Sequence, residues 1–349
     1  MDQAIIDDIV TPFLAKRHKV QLAIGTICNG QKTVISYATP QGTPVPSGQS
    51  LFEIGSITKV FTAVLLADLV FTGQSKLDDS AHALFPEPNN IPREVTLQHL
   101  ATHTSGLPRL PSNLFWPMLR NIDNPYSNYT QQHLNKYLRR YRHKHKRIGT
   151  YEYSNLGAGV LGAILASRLH LSYEAAIQTR ISDRLGLDDT RITLSSEQTE
   201  RLITGYTGEG QSTPNWDMST LAGAGALRSS VDDMLRFIAA NLDDVQGTGV
   251  MLQFCHAART HIDQTGNQVG LGWHIKALPE GRSTILWHNG GTGGYRSYMG
   301  LVKQQEIGVV VLSNNGPGKP EQKDPTQSVD YIGEQILQQL VVDTPTTTS

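Results

Sequence analysis

Cysteine is nearly absent from the sequence, which has only Cys28 and Cys255 among its 349 residues. Two cysteines cannot form a disulfide framework, and no C-x-x-C pair is present to bind zinc or to carry out redox chemistry. Long apolar runs are missing as well, since the longest, near Val60–Phe71, is interrupted by Thr62 and Asp68. A membrane-spanning helix needs about 20 mainly apolar residues, so the sequence predicts no membrane span.

An excess of charge of either sign is also absent, because 30 Lys and Arg residues face 31 Asp and Glu residues. This balance argues against a dedicated nucleic-acid-binding protein, and we interpret the basic run Arg139–Arg147 as a solvated surface. No nucleic-acid partner is therefore expected. The N-terminal residues carry acids where a secretory signal carries bases. The chain as written therefore predicts a cytoplasmic protein, or a periplasmic or extracellular one whose signal has been removed.

The hydrophobic pattern predicts strands near both ends of the chain and helices between them. Asn29-Gly30 joins the first two strands and is a strong hairpin signal. The predicted strands are Val20–Cys28, Thr33–Ala38, Leu51–Ile54, Gly270–Ile275, Ser283–Trp287, Tyr298–Val302 and Ile307–Ser313. The predicted helices are residues 3–18, Ile57–Phe71, Leu97–Ala101, Gln131–Tyr141, Leu156–Leu169, Tyr173–Ile181, Val231–Ala240 and Val329–Leu340. We predict an α/β domain built from residues 1–75 and 245–349, with a mainly helical domain of residues 76–244 inserted between them.

The strongest local signal is Ser56-Ile-Thr-Lys59, at the junction of an extended segment and a buried helix. The helix dipole at this junction favours developing negative charge. Lys59 lies one turn further along the same face, so its amine can reach the Ser56 hydroxyl. A lysine inside an apolar helix loses proton affinity, which suits it to act as a general base. The alternative is a serine that caps the helix beside a lysine that extends to solvent.

A second signal is Tyr151-Glu-Tyr153-Ser-Asn155, at the start of the predicted helix Leu156–Leu169. A phenol and an amide two residues apart in a turn can converge on one cavity. Tyr153 can relay a proton, and Asn155 can hold a substrate carbonyl. Both residue types are also ordinary at a helix entry, so this segment alone carries little weight.

A third signal is His288-Asn-Gly290-Gly291, directly after the predicted strand Ser283–Trp287. Glycines at the end of a strand allow the backbone to approach closely, so the N–H of Gly291 can face an oxyanion. The alternative is a flexible hairpin.

Two other patterns resemble cofactor or metal sites without the context that such sites require. Gly157-Ala-Gly159-Val-Leu-Gly162 lies inside a predicted helix rather than after a strand, so close helix packing explains it better than dinucleotide binding. His99 and His103 have helical spacing but lack the glutamate of H-E-x-x-H. The sequence therefore predicts no organic cofactor and no metal.

Taken in order, the three motifs resemble those of the penicillin-recognising serine hydrolases: class C β-lactamases, related D,D-peptidases and β-lactamase-like esterases. That superfamily orders its motifs as S-x-x-K, Y-x-N and a K-T-G-like or H-x-G-like triplet; this chain has Ser56–Lys59, Tyr153–Asn155 and His288–Gly290. The resemblance covers most of residues 10–340. It extends through Leu97–Pro108, Gly223–Ser230 and Leu271–Trp273. It implies an α/β fold with an antiparallel sheet flanked by helices, an inserted all-α domain, and an active site in the cleft between them.

The resemblance also implies roles for individual residues. Ser56 would be the nucleophile, and Lys59 and Tyr153 would handle its proton. The backbone N–H groups of Ser56 and Gly291 would form the oxyanion hole. The residues implied at the substrate are Asn155 at the acyl amide, His288, Asn289 and Gly290 in the third motif, and Asn314 near the substrate carboxylate.

Two departures from the class C pattern bear on the substrate. His288 stands where class C enzymes have a lysine, and a neutral histidine offers a hydrogen bond rather than a permanent cation. Arg109-Leu110 stands where those enzymes usually have an amide-recognising glutamine. Both departures argue against efficient lactam hydrolysis, although the acylation residues are complete.

The expected function is that of a serine hydrolase that forms an acyl-enzyme on an amide, lactam or ester carbonyl, most closely class C β-lactamase-like. The partner would be a small-molecule or peptide substrate, namely a β-lactam, a D-Ala peptide or an ester. D-alanyl-D-alanine carboxypeptidase, D-aminopeptidase and family VIII-type esterase activities remain alternatives. An alternative of another class is a penicillin-binding sensor without turnover. The sequence makes no prediction of oligomeric state.

Overall fold

The computed structural model describes residues 2–42, 44–142, 147–243, 248–278, 283–318, 322 and 324–343. Its strands are β1 (Gln21–Cys28), β2 (Gln31–Ala38), β3 (Leu51–Glu53), β4 (Arg228–Ser230), β5 (Thr260–His261), β6 (Gln268–Val269), β7 (His274–Ala277), β8 (Thr284–Gly291), β9 (Arg296–Val302) and β10 (Ile307–Ser313). Eight strands form one sheet in the order β2-β1-β10-β9-β8-β7-β6-β5, and β3 pairs with β4 separately. Every neighbouring pair is antiparallel. The predicted antiparallel sheet is therefore confirmed.

Most of the predicted helices are present, with ends that differ by a few residues. The helices are α1 (Gln3–Ala15), α2 (Thr58–Phe71), α3 (Ala81–Leu84), α4 (Leu97–Ala101), α5 (Phe115–Leu119), α6 (Gln131–Arg140), α7 (Asn155–Leu169), α8 (Tyr173–Ile177), α9 (Asp183–Leu185), α10 (Ser196–Arg201), α11 (Val231–Leu242), α12 (Thr248–His256) and α13 (Val329–Asp343). Helix α12 was not predicted, because its buried side chains, Met251, Leu252 and Cys255, are too few to give a clear period. Residues 143–146 of the basic run lie outside the described part of the chain.

The hairpin between β1 and β2 is confirmed. Asn29 and Gly30 have φ values of +47° and +75°, and positive φ at both central residues is characteristic of the tight turn that joins two twisted strands. The ladder continues to the pair Cys28 and Gln31. Strand β2 therefore begins two residues before the predicted Thr33.

Two groups of helices cover the two faces of the sheet, because side chains alternate along each strand. On β10, Val309 and Val311 pack in the core cluster that includes residues of α1 and α13. Val310 and Leu312 point to the opposite face and join the large cluster that contains α2 and α11. The apolar run that predicted a central strand is thus buried on both sides.

Helix α11 packs directly on the sheet. A Cβ atom added at Gly25 of β1 would lie 2.6 Å from Val231 Cγ1 and 2.9 Å from Leu235 Cδ1. The prediction assigned residues 76–244, including α11, to the inserted helical domain. Because this helix lies against β1, we place it with the α/β layer, which the chain re-enters at β4.

The predicted strand Gly270–Ile275 is interrupted by a turn between β6 and β7. Gly272 in this turn has φ +72°, and a Cβ there would lie 2.8 Å from the Lys59 carbonyl oxygen and 2.8 Å from the Ala63 Cβ. The turn therefore packs against α2 instead of continuing the ladder.

Candidate active site

Ser56 is the accessible point of a buried segment. Strand β3 ends at Glu53, a 3₁₀ turn spans Gly55–Ile57, and α2 begins at Thr58. Within residues 51–69, Ser56 is the only residue that is not buried. Burial on all sides immobilises the backbone, while the Ser56 hydroxyl remains within reach of a substrate.

Gly55 brings this turn against the end of β8. It has φ +50°, and a Cβ there would lie 2.6 Å from the backbone nitrogen of Gly291. Ser297 of β9 donates a hydrogen bond to the Ile54 carbonyl at 2.8 Å and holds the same turn. The backbone nitrogen of Gly291 thus lies beside the turn that carries Ser56.

We predict that Gly55→Ala lowers kcat by about 10²-fold or more while leaving the protein folded, because it pushes the Gly291 donor away from the nucleophile. The control is Gly73→Ala, which also has a positive φ of +69° but has nothing within 4 Å of its added Cβ. Both variants carry the left-handed backbone penalty of roughly 1–2 kcal/mol. Thermal unfolding and steady-state kinetics separate the two effects, and equal activity in both variants contradicts the prediction.

Lys59 is held against Ser56 in a dry environment. Its Nζ lies 2.8 Å from Ser56 Oγ and donates a second hydrogen bond to the Ala224 carbonyl at 2.6 Å. The side chain is buried, and this burial, reinforced by the positive charge of Arg109, lowers the pKa of Lys59 well below 10.5. A neutral amine with a free lone pair can accept the proton of the Ser56 hydroxyl.

Tyr153 lies on the other side of this pair. Lys59 Nζ is 4.8 Å from the centre of the Tyr153 ring, and the Ser56 side chain lies close enough to the phenol to lower its pKa. Burial has the larger, opposite effect and raises the pKa of Tyr153. Tyr153 is therefore a neutral phenol, suited to passing a proton on.

Asn155 begins helix α7, and the turn before the helix holds it in place. The Ser154 hydroxyl accepts from Gly157 N–H at 2.8 Å and donates to the Pro108 carbonyl at 2.7 Å. The Asn155 N–H donates to the Arg109 carbonyl at 3.0 Å. Among the described residues, the buried Oδ1 atom of Asn155 has no hydrogen-bond partner. The acceptor capacity of this oxygen is therefore not used by those residues.

Strand β8 runs through the third motif instead of ending before it. Its ladder with β9 continues to the pair Gly291 and Arg296, so the predicted strand end at Trp287 is wrong. Gly290 lies against the Ile54 carbonyl, with no room for a side chain. This glycine allows β8 to pack closely on the turn that carries Ser56, and the contact of Gly290 with substrate stays a prediction.

Asn289 and Asn314, both predicted at the substrate, lie in the framework. The alternation of β8 turns Asn289 to the far face, where it donates to Asp330 Oδ2 at 2.6 Å. The Asn314 side chain is fully buried. Its Oδ1 accepts from Gln21 N–H at 2.7 Å, and its Nδ2 donates to the Thr204 carbonyl at 2.9 Å. The amide of Asn314 therefore connects the end of β10 to the start of β1 and to Thr204, and it is not directed at a substrate.

His288 lies behind Tyr153. Its ring centre is 6.3 Å from that of Tyr153 and 5.0 Å from that of His274. It is 1% exposed, and burial lowers its pKa well below 6.5. It therefore presents neither a charge nor an accessible edge at the site surface. A neutral imidazole stands here in place of the lysine of the class C pattern.

Two neighbours of Tyr153 were not predicted. The His103 ring, considered only as a metal ligand, lies 4.4 Å from the Tyr153 ring and accepts at Nδ1 from Ser154 N–H at 3.2 Å. His274 Nε2 is 2.9 Å from the Tyr151 hydroxyl. His103 lies within the segment Leu97–Pro108, and His274 directly follows Trp273. Both segments resemble the superfamily, and this is the sequence signal by which the two histidines could have been found.

Within the described residues, no group of three or more His, Cys, Asp or Glu side chains is arranged to hold a metal ion. The helices found there also include none that is long and apolar enough to cross a bilayer.

The chain is similar to known proteins along most of its length. A family model described as Beta-lactamase matches residues 6–332. The Beta-lactamase of Escherichia coli (strain K12) is 26% identical over 354 residues, covering 92% of this chain and 90% of its own. The D-alanyl-D-alanine-carboxypeptidase/endopeptidase AmpH of the same strain is 29% identical over 321 residues, covering 85% and 80%. A class C beta lactamase structure from Rhodobacter sphaeroides has a TM-score of 0.79 at 23% identity, covering 96% of this chain and all of that one. That structure has the same fold.

Proposed function

Because the chain belongs to the Beta-lactamase family and is a penicillin-recognising serine hydrolase, we propose that Ser56 is its nucleophile and that it works through an acyl-enzyme. The observation that carries this proposal is the 2.8 Å separation of Ser56 Oγ and Lys59 Nζ, at the only accessible residue of a buried segment. Tyr153 supports it because its ring centre lies 4.8 Å from Lys59 Nζ and its phenol is close enough to Ser56 for that side chain to lower its pKa.

The first step transfers the acyl group to the enzyme. Ser56 Oγ bonds to the carbonyl carbon as its proton passes to the neutral Lys59 amine. The N–H groups of Ser56 and Gly291 stabilise the oxyanion. The bond from the carbonyl carbon to the leaving nitrogen or oxygen then breaks, and the leaving group takes the proton from Lys59 through the Tyr153 phenol. Water then attacks the carbonyl carbon of the ester formed on Ser56, which releases the acid and restores the serine hydroxyl.

In this proposal the substrate lies between the α/β layer and the helical region, beside Ser56, whose turn packs against Gly291. Asn155 Oδ1, unpartnered among the described residues, accepts a hydrogen bond from an acyl-side N–H. This matches a β-lactam or a D-alanyl peptide, both of which carry an amide beside the reacting carbonyl. The E. coli relatives named as a β-lactamase and as a D-alanyl-D-alanine carboxypeptidase/endopeptidase support these two substrate classes.

A peptidase is the second candidate because of His288. Its buried, neutral ring supplies no cation for the carboxylate that lactams and D-alanyl peptides both carry, so the candidate depends on the residue type at this position. A histidine in the third motif is a feature that the sequence shares with D,D-peptidases rather than with resistance enzymes. Slow release of a lactam acyl group, with turnover of a peptide, is the behaviour expected of this candidate.

Parallel measurements of turnover and intact mass test the proposal. The protein is incubated with a chromogenic cephalosporin, a D-alanyl-D-alanine peptide and a 4-nitrophenyl ester, and any adduct is mapped by peptide digestion. Rapid cephalosporin turnover supports a lactamase, and a persistent adduct on Ser56 with peptide turnover supports a peptidase. Turnover of the ester alone supports an esterase, and an adduct without turnover a sensor. An adduct on another residue, or turnover that does not involve Ser56, overturns the assignment.

A further inference from the structure

The candidate site contains few formal charges. Burial disfavours the charged form of Lys59 and lowers its pKa, and it also lowers the pKa values of the three histidines around Tyr153, which are His103, His274 and His288. A cation at the mouth of this site therefore acts on a substrate with little competition from neighbouring charges. Arg109, which follows Pro108 at the entrance, is an exposed cation in this position.

Arg109 is directed toward the reacting groups. Its guanidinium carbon lies 5.2 Å from the centre of the Tyr153 ring, and Lys59 Nζ lies 4.8 Å from the same ring. Its positive charge also contributes to the lowered pKa of Lys59. The guanidinium is therefore close enough to contact a substrate bound at Ser56.

The backbone of Arg109 places it on the side of the site where the acyl group would lie. Its carbonyl accepts from Asn155 N–H at 3.0 Å and from Leu156 N–H at 3.2 Å, which anchors the loop to the first turn of α7. The proposed acceptor for the acyl-side amide, Asn155 Oδ1, belongs to the same turn. These two hydrogen bonds fix the backbone of Arg109 relative to that of Asn155.

No carboxylate of the described residues lies within ion-pair distance of Arg109. The ion pairs found in those ranges involve other arginines and lysines. Arg228, for comparison, is paired with the buried Glu53. A guanidinium is suited to bind a carboxylate through two parallel hydrogen bonds.

We propose that Arg109 is a specificity-determining residue that binds an anionic group, of the carboxylate class, on the acyl part of the substrate. This inference rests on the proposed function. Since Arg109 reaches the ring of Tyr153 rather than Ser56 itself, the anion lies several bonds from the reacting carbonyl. The preferred substrates are therefore acyl donors with an acidic side group, and Arg109 provides the charge recognition that a neutral His288 does not.

Matched esters test the proposal. The acyl pair is mono-4-nitrophenyl adipate, which is anionic, and methyl 4-nitrophenyl adipate, which is neutral. The wild-type enzyme should have the higher kcat/KM for the anionic ester. Arg109→Leu should lower the anionic-to-neutral ratio of kcat/KM about tenfold or more, because it removes a charge-assisted hydrogen bond. Arg109→Lys should keep part of the preference, and added salt should weaken the wild-type preference.

Two further variants distinguish recognition from a general effect of charge. Arg168→Leu removes the same charge at the far end of α7, about 20 Å from Asn155 at 1.5 Å per residue, and should leave the ratio unaffected. Arg109→Glu should reverse the preference, so that the 4-nitrophenyl ester of 4-(trimethylammonio)butyrate becomes better than the anionic ester.

The outcomes separate this proposal from the one on which it rests. Equal ratios in the Arg109→Leu and Arg168→Leu proteins overturn the role of Arg109, as does a wild-type enzyme that prefers the neutral ester. A second pair places the anion in the leaving group: the hexanoyl ester of 4-hydroxybenzoate and the hexanoyl ester of methyl 4-hydroxybenzoate. A wild-type enzyme that prefers the anionic member of this pair alone, and not the anionic adipate ester, also overturns the role of Arg109. Turnover of both adipate esters by a Ser56→Ala protein instead overturns the proposed function.

Discussion

Alanine at position 56 lowers kcat by about 10⁴-fold or more, for lactam, peptide and ester alike, and abolishes the covalent adduct. The loss should be large because, in the proposed mechanism, the hydroxyl oxygen bonds to the substrate and the neighbouring Lys59 amine, 2.8 Å away, has no other proton to remove at this position. The measurement is turnover of the best substrate, together with intact mass after a rapid quench.

Ser195→Ala is the matched control for this prediction. The Ser195 hydroxyl caps α10 by accepting from Gln198 N–H at 3.2 Å. Its loss should cost about 1 kcal/mol of stability while the adduct still forms on Ser56. A Ser56→Ala protein that retains a covalent acyl group, or turns over within tenfold of wild type, is incompatible with the assigned nucleophile.

Lys59→Met is expected to lower kcat/KM by about 10²–10⁴-fold, the range that a positioned general base contributes. Methionine keeps an unbranched side chain of similar reach and adds no buried charge, so the protein should remain folded. Lys59→Arg should be no more active, since a guanidinium stays protonated and cannot accept the serine proton. Lys76→Met, at an exposed lysine just beyond α2, is the control. Near-normal activity in Lys59→Arg contradicts the role of the amine.

The same residue governs the pH profile. Burial lowers the pKa of Lys59 well below 10.5, so the amine is neutral and competent above that lowered pKa. As the pH falls through it, the amine gains a proton and kcat/KM falls. The acid limb of the wild-type profile should therefore be missing from the residual activity of Lys59→Met. An identical acid limb in both proteins assigns the limb to a different group.

Much of the fold was predictable because its signals are local. Asn29-Gly30 forms the expected turn through its own backbone preference, and α2 is buried all round as its nearly uniform apolar character indicated. The pair Ser56 and Lys59 was predictable for the same reason, since one helical turn separates them. Helix α11 was assigned to the inserted domain because packing on β1 across some 200 residues of chain leaves no local pattern.

The roles of several other residues depend on contacts with residues distant in sequence, which no local pattern indicates. Whether Asn289 faces a substrate depends on the register of β8, which the ladder to β9 determines. Asn314 is committed to backbone groups of Gln21 and Thr204, distant partners that the sequence does not reveal. Gly55 was overlooked because its tight contact is with Gly291, a residue brought there only by the finished sheet.

The pairing of β1 with β10 joins residues near 25 to residues near 310, and this has a consequence for biosynthesis. Contacts so distant in sequence form late and slowly. A growing chain on the ribosome carries Ser56 long before β8 is synthesised, so Gly291, the proposed oxyanion donor, is missing during that interval. Activity is therefore expected only near the completion of translation, and a prematurely terminated polypeptide should be inactive.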